Sequence, residues 1–122
     1  MERLKTALHN PYVKLIAHPT GRIIGRRDGY SVNMAELIRL AAETNTALEL
    51  NANPYRLDLS SAHLKAAQEA GAKIMINTDA HAIEHLQFME TGASAGRKGW
   101  LRPETVVNTW TKTEFMSFIR RL

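Results

Sequence analysis

Three residues of this chain have the side chains to hold a metal ion at positions that a fold can bring together: His18, Asp79 and His81. Asp79 and His81 lie two apart, and in extended chain such residues point to the same side, with Cα atoms roughly 6.5–7 Å apart at a rise of about 3.3 Å per residue. A pair so placed reaches one metal or two adjacent ions. Imidazole with carboxylate suits zinc, manganese or iron, and a chain without cysteine has no thiolate site. A metal held there lowers the pKa of a bound water and polarises a phosphoryl oxygen, which is the chemistry of hydrolysis. Asp-x-His is nevertheless a short pattern. Aspartate after a strand also serves as a helix N-cap, and His18-Pro19 is an ordinary loop dipeptide, so the residues alone leave both readings open.

The elements around these residues decide whether they meet. A short apolar run, Val13 to Ala17, leads into His18-Pro19 and a polar, glycine-rich loop ending near Ser31. A helix follows, with Asn33 and Glu36 as a capping box and Leu37, Leu40 and Ala41 on one face. The run Ala47 to Leu50 reads as a second strand, ending in Asn51-Ala52-Asn53-Pro54. A second helix starts near Ser60 and stops at Gly71, and Lys73 to Asn77 reads as a third strand. Ile83 to Met89 is expected to be helical. Gly92 to Pro103 reads as a loop of glycine and small residues carrying Arg97, Lys98 and Trp100. Glu2 to Leu8 is expected to be a helix before the first strand. Thr111 with Glu114 caps a last helix whose face holds Phe115, Phe118, Ile119 and Leu122.

Strands alternating with helices imply right-handed crossovers and a parallel sheet, an α/β fold. Sites in such folds form where the carboxyl ends of strands meet the following loops, so His18, Asp79 and His81 are expected on one rim. Glu49, at the end of the second strand, has the chemistry to orient a ligand. Three parallel strands cannot close a barrel and leave two unpaired edges, which predicts completion by further chain or by a second copy.

The formal net charge is +4, which points toward polyanions, although lysine and arginine also decorate ordinary solvated helix faces. Part of that charge is Arg120 and Arg121. Arg22, Arg26 and Arg27 follow the first strand, and with Arg97 and Lys98 they are expected to form a cationic surround suited to phosphate. Tyr30, Tyr55 and Trp100 are aromatic enough to stack on bases but more commonly serve as core or rim packing. His9, His63 and His85 are expected at the surface. The hydrophobic fraction, 44%, is that of a globular protein, and no apolar run approaches the roughly 20 residues of a membrane span. No charged-then-apolar leader opens the chain, and the expectation is a soluble, cytoplasmic protein with no membrane partner.

Ile16-Ala17-His18-Pro19-Thr20-Gly21-Arg22 resembles the late histidine motif of the PHP (polymerase and histidinol phosphatase) family. Ala47-Leu48-Glu49-Leu50-Asn51-Ala52-Asn53-Pro54 and Ile76-Asn77-Thr78-Asp79-Ala80-His81 resemble the two strand ends that follow it. Gly25-Arg26-Arg27-Asp28-Gly29 and Arg97-Lys98-Gly99-Trp100 are similar to the version attached to bacterial family X DNA polymerases. The resemblance covers nearly all 122 residues, and implies a single partial domain, the C-terminal part of a distorted β/α (TIM-like) barrel. It also implies a divalent metal, manganese or zinc, DNA as substrate, and 3′–5′ exonuclease activity, with His18, Asp79 and His81 as ligands. The family's opening His-x-His motif and its middle glutamate and histidine motifs have no counterpart here. The ligand set is therefore expected to be incomplete. Two other readings stand beside this one: a catalytically silent module that binds DNA or itself, and a small-molecule phosphatase of the histidinol-phosphatase type.

Overall fold

The computed structural model describes residues 1–120. Five α-helices and three short strands alternate along the chain: α1 (Glu2–Leu8), β1 (Leu15–Ile16), α2 (Met34–Thr44), β2 (Ala47–Asn51), α3 (Ser61–Ala70), β3 (Ile74–Asn77), α4 (Phe88–Lys98) and α5 (Lys112–Arg120). The sheet has the order β1-β2-β3 and is parallel throughout, as the alternation implied. Leu15 pairs with Ala47, Leu48 with Ile74 and Asn51 with Asn77.

This register places Ile16, Leu48, Leu50, Ile74 and Ile76 on one face, because side chains alternate along a strand and partners in a parallel pair point the same way. That face is apolar and carries the core, with Leu37 of α2 and Leu64 of α3 fully buried beside Leu48, Leu50 and Ile74. Removing each such leucine from water contributes about 1.5–3 kcal/mol. The opposite face of β2 carries Glu49 and Asn51, and both are buried as well.

Local signals explain the helix ends. Asn33 caps α2, its side chain accepting from the Glu36 amide at 3.1 Å. The reciprocal half of the box is replaced by a tertiary contact, since the Glu36 carboxylate pairs with Lys5 of α1 at 3.0 Å. An Asn33→Ala variant should lose about 1 kcal/mol of unfolding free energy in urea titration, and Asn33→Gly only a few tenths. Ser60 caps α3, and Gly71 ends it at φ 89°. Thr111 caps α5, its hydroxyl accepting from the Glu114 amide at 3.2 Å and donating to the Glu114 carboxylate at 3.0 Å. Phe118 is buried, and Phe115 and Ile119 are half-buried. Arg121 and Leu122, to which the charge and the helical face were extended, lie outside the described residues.

Two expectations are corrected. The segment after Gly92 is not a loop. Ile83–Gln87 is a 3₁₀ turn, and α4 then runs through Gly92 and Gly96 to Lys98. Gly92 lets α4 lie close against the sheet: a Cβ there would lie 2.7 Å from Ala52 Cβ and from Ile76 Cγ2. Second, the outer edge of β3 is not unpaired. Val106 bridges Ile74, and the Asn108 side chain accepts from the Ile76 amide and donates to its carbonyl, both at 2.8 Å. Among the described residues no strand pairs with the outer edge of β1. No helix in this region is long and apolar enough to cross a membrane.

Candidate functional site at the strand ends

The carboxyl ends of β1, β2 and β3 open onto one rim, where Glu49 is the central group. Only 5% exposed, its carboxylate accepts from the His18 amide at 2.9 Å and from Asn51 Nδ2 at 3.2 Å through one oxygen. Through the other oxygen it accepts from Asn77 Nδ2 at 2.8 Å. One side chain of β2 thus ties the exit of β1 to the exit of β3. With both oxygens engaged and shielded, Glu49 orients its neighbours.

Asp58, fully buried, does the same for the next residues. It accepts from the Thr20 amide at 3.0 Å and the Gly21 amide at 2.8 Å. His18 and Asp79 both adopt left-handed backbone, at φ 26° and 56°. Such conformations cost on the order of 1 kcal/mol each and persist where surroundings over-determine them, commonly at working sites. Here the two buried carboxylates fix the segment from His18 to Gly21.

Asp79 and His81 come together. The His81 Nδ1 lies 2.8 Å from the Asp79 carbonyl oxygen and 3.9 Å from its carboxylate. A carbonyl only accepts, so Nδ1 donates in this bond, the kind of second contact that orients a metal-ligating histidine. His85 is not a plain surface residue. Its Nδ1 accepts from the His81 amide at 3.0 Å, and its ring stacks on Phe88 with centroids 5.0 Å apart. His63 is half-buried, with Nδ1 shielded and unbonded, and His9 is exposed as expected. The donors fit a divalent ion in kind but not in number: among the described residues no group of three His, Cys, Asp or Glu side chains is arranged to hold one.

The cations divide by task. Arg22 donates to the carbonyls of Arg56 (2.8 Å) and Leu57, stapling the turn after β2. Arg27 donates twice to the Gly21 carbonyl, at 3.0 and 2.7 Å, and lies over the Tyr30 ring. Both serve loop structure. Arg26 is exposed at the loop tip, while Arg97 and Lys98 are exposed in the last turn of α4. Sequence reasoning missed Arg56. Its Nε sits 3.5 Å from the Asp79 carboxylate, and its Nη1 is shielded from solvent without a hydrogen-bond partner. Its position in a turn directly after a strand's carboxyl end was the available signal. Tyr30, Tyr55 and Trp100 are all exposed.

These features define a parallel α/β unit whose polar residues gather at the carboxyl ends of its strands. The chain is 54% identical over 121 residues, 99% of its length, to "DNA polymerase/3'-5' exonuclease PolX" of Bacillus subtilis (strain 168). That agrees with the C-terminal portion of a family X polymerase PHP domain, the resemblance its motifs carry. The chain spans 21% of that relative's length. No family model matches the chain.

Proposed function

We propose that this chain is part of a PHP-type, metal-dependent phosphoesterase, a 3′–5′ exonuclease region associated with a family X DNA polymerase. The observation that carries the reading is the strand-end rim, where the His81 ring and the Arg56 guanidinium both lie beside Asp79. In this reading His18, Asp79 and His81 supply donors to manganese or zinc. The remaining donors come from the preceding part of a β/α barrel, or from a second copy. The bound ion would polarise a phosphoryl oxygen and acidify a water. Glu49 and Asp58 hold the His18 segment in place, and His85 holds the His81 backbone. Arg56, its Nε 3.5 Å from the Asp79 carboxylate, adds positive charge at the rim where charge develops on phosphorus, as a planar guanidinium suits a phosphate. Arg26, Arg97 and Lys98 attract the DNA strand. The setting is cytoplasmic.

In a longer protein that contains this segment and hydrolyses DNA, Asp79→Ala should lower the rate by more than about 100-fold. The basis is that loss of even an outer hydrogen-bond partner of a ligand costs 10–100-fold. Metal content should fall with it, and Arg56→Ala should lower the rate while leaving metal content intact. Unchanged hydrolysis by the Asp79 variant would end this assignment. The lack of a three-donor group within these residues favours a second reading, a catalytically silent module that binds DNA or itself. A monomer showing metal-dependent hydrolysis would exclude that reading. Cleavage of phosphate monoesters but not of DNA would instead indicate the small-molecule phosphatase.

A further inference from the structure

We propose that the cleft between the start of α3 and the body of α4 binds a phosphodiester of a nucleic-acid strand, outside the candidate metal rim. The cleft has a volume of about 410 Å³ and is lined by Ser61 of α3, by Thr91, Ser94 and Lys98 of α4, and by Arg22 and Leu57. Thr91, Ser94 and Lys98 are three and four residues apart and share one face of the helix. Serine and threonine within helices can turn their hydroxyls back to the carbonyl four residues earlier. Among the described residues, the hydroxyls of Ser61, Thr91 and Ser94 have no hydrogen-bond partner and Lys98 has no ion pair.

Three free hydroxyls and an ammonium group therefore face one space beside the Arg22 guanidinium, and no carboxylate lines it. That combination suits a tetrahedral oxyanion. The same turn carries Arg56 toward Asp79 and Leu57 into the cleft, with Arg22 holding both their carbonyls. A ligand that occupies the rim and the cleft together must carry more than one phosphate, which favours a polynucleotide over a free phosphate. This choice of ligand rests on the function proposed above.

The test uses this chain and a fluorescein-labelled oligothymidylate of about a dozen nucleotides, within the range one domain of a single-strand binder covers. Binding is read by anisotropy as salt is raised. Lys98→Ala should weaken binding about tenfold and reduce the salt slope by about 0.7, the value of one phosphate contact on a single strand. A Thr91→Val/Ser94→Ala variant should weaken binding without changing that slope. Lys65→Ala, which removes one positive charge from the exposed face of α3, should do much less. Asp79→Ala should leave the Lys98-dependent part intact, which separates failure of the cleft from failure of the metal reading. Equal losses in the Lys98 and Lys65 variants, or no binding by the unaltered chain, would overturn the cleft assignment. Full displacement of the oligonucleotide by inorganic phosphate at matched ionic strength would overturn the polynucleotide in favour of a free anion.

Discussion

Replacing Glu49 with alanine should lower the unfolding free energy by about 3 kcal/mol or more, measured by urea titration of the chain. The side chain is buried on β2, and its removal strands the His18 amide, Asn51 Nδ2 and Asn77 Nδ2 at once. A buried donor left without an acceptor costs about 1–3 kcal/mol, and Asn51, 1% exposed, has no access to water as a substitute. Glu49→Gln should cost roughly half as much, because one acceptor oxygen remains while the new amide faces another donor. The alanine variant should also speed hydrogen exchange at the His18 amide. A loss below about 1 kcal/mol would mean that water enters the rim and takes over the three bonds, and Glu49 would then not be what fixes His18.

The second large effect concerns packing. Gly92→Val should destabilise the chain by about 3 kcal/mol, at the upper end for overpacking. The first added carbon would already lie 2.7 Å from Ala52 Cβ and Ile76 Cγ2, neither of which is the far end of a flexible side chain. Gly92→Ala makes the sign decisive. Helix propensity alone would favour alanine by about 1 kcal/mol, so a net loss shows that contact with the sheet outweighs propensity. A net gain would show that α4 can move away from β3.

The placement of His18, Asp79 and His81 was legible because apolar runs bounded by turn residues locate strand ends. The caps at Asn33, Gly71 and Thr111 were legible because each acts within a few residues. What sequence reasoning misread was set by partners far along the chain. Gly92 looked like a loop residue, and only the surface of Ala52 and Ile76 makes glycine suitable for a helix there. Arg22 and Arg27 were expected beside phosphate, and no local pattern announced that carbonyls of the chain itself also engage both. Arg56 and Asp58 were passed over inside a turn-rich stretch, and their partners lie in other loops. Asp58 reaches back 38 residues to Thr20, a separation that no periodicity encodes.

Asn108 has a consequence for how copies of this chain behave in a crowded solution. A strand edge with unsatisfied amides and carbonyls is a template on which a second molecule can lay down its own strand. At β3 that template is blocked, because one side-chain amide occupies both the donor and the acceptor of Ile76. Docking a foreign strand there would first require breaking two good hydrogen bonds. The other boundary of the sheet, β1, is two residues long, too short to hold a stray strand by backbone bonds alone. Any extension of the sheet therefore proceeds in one direction, and only a strand that brings its own side-chain packing can take that place.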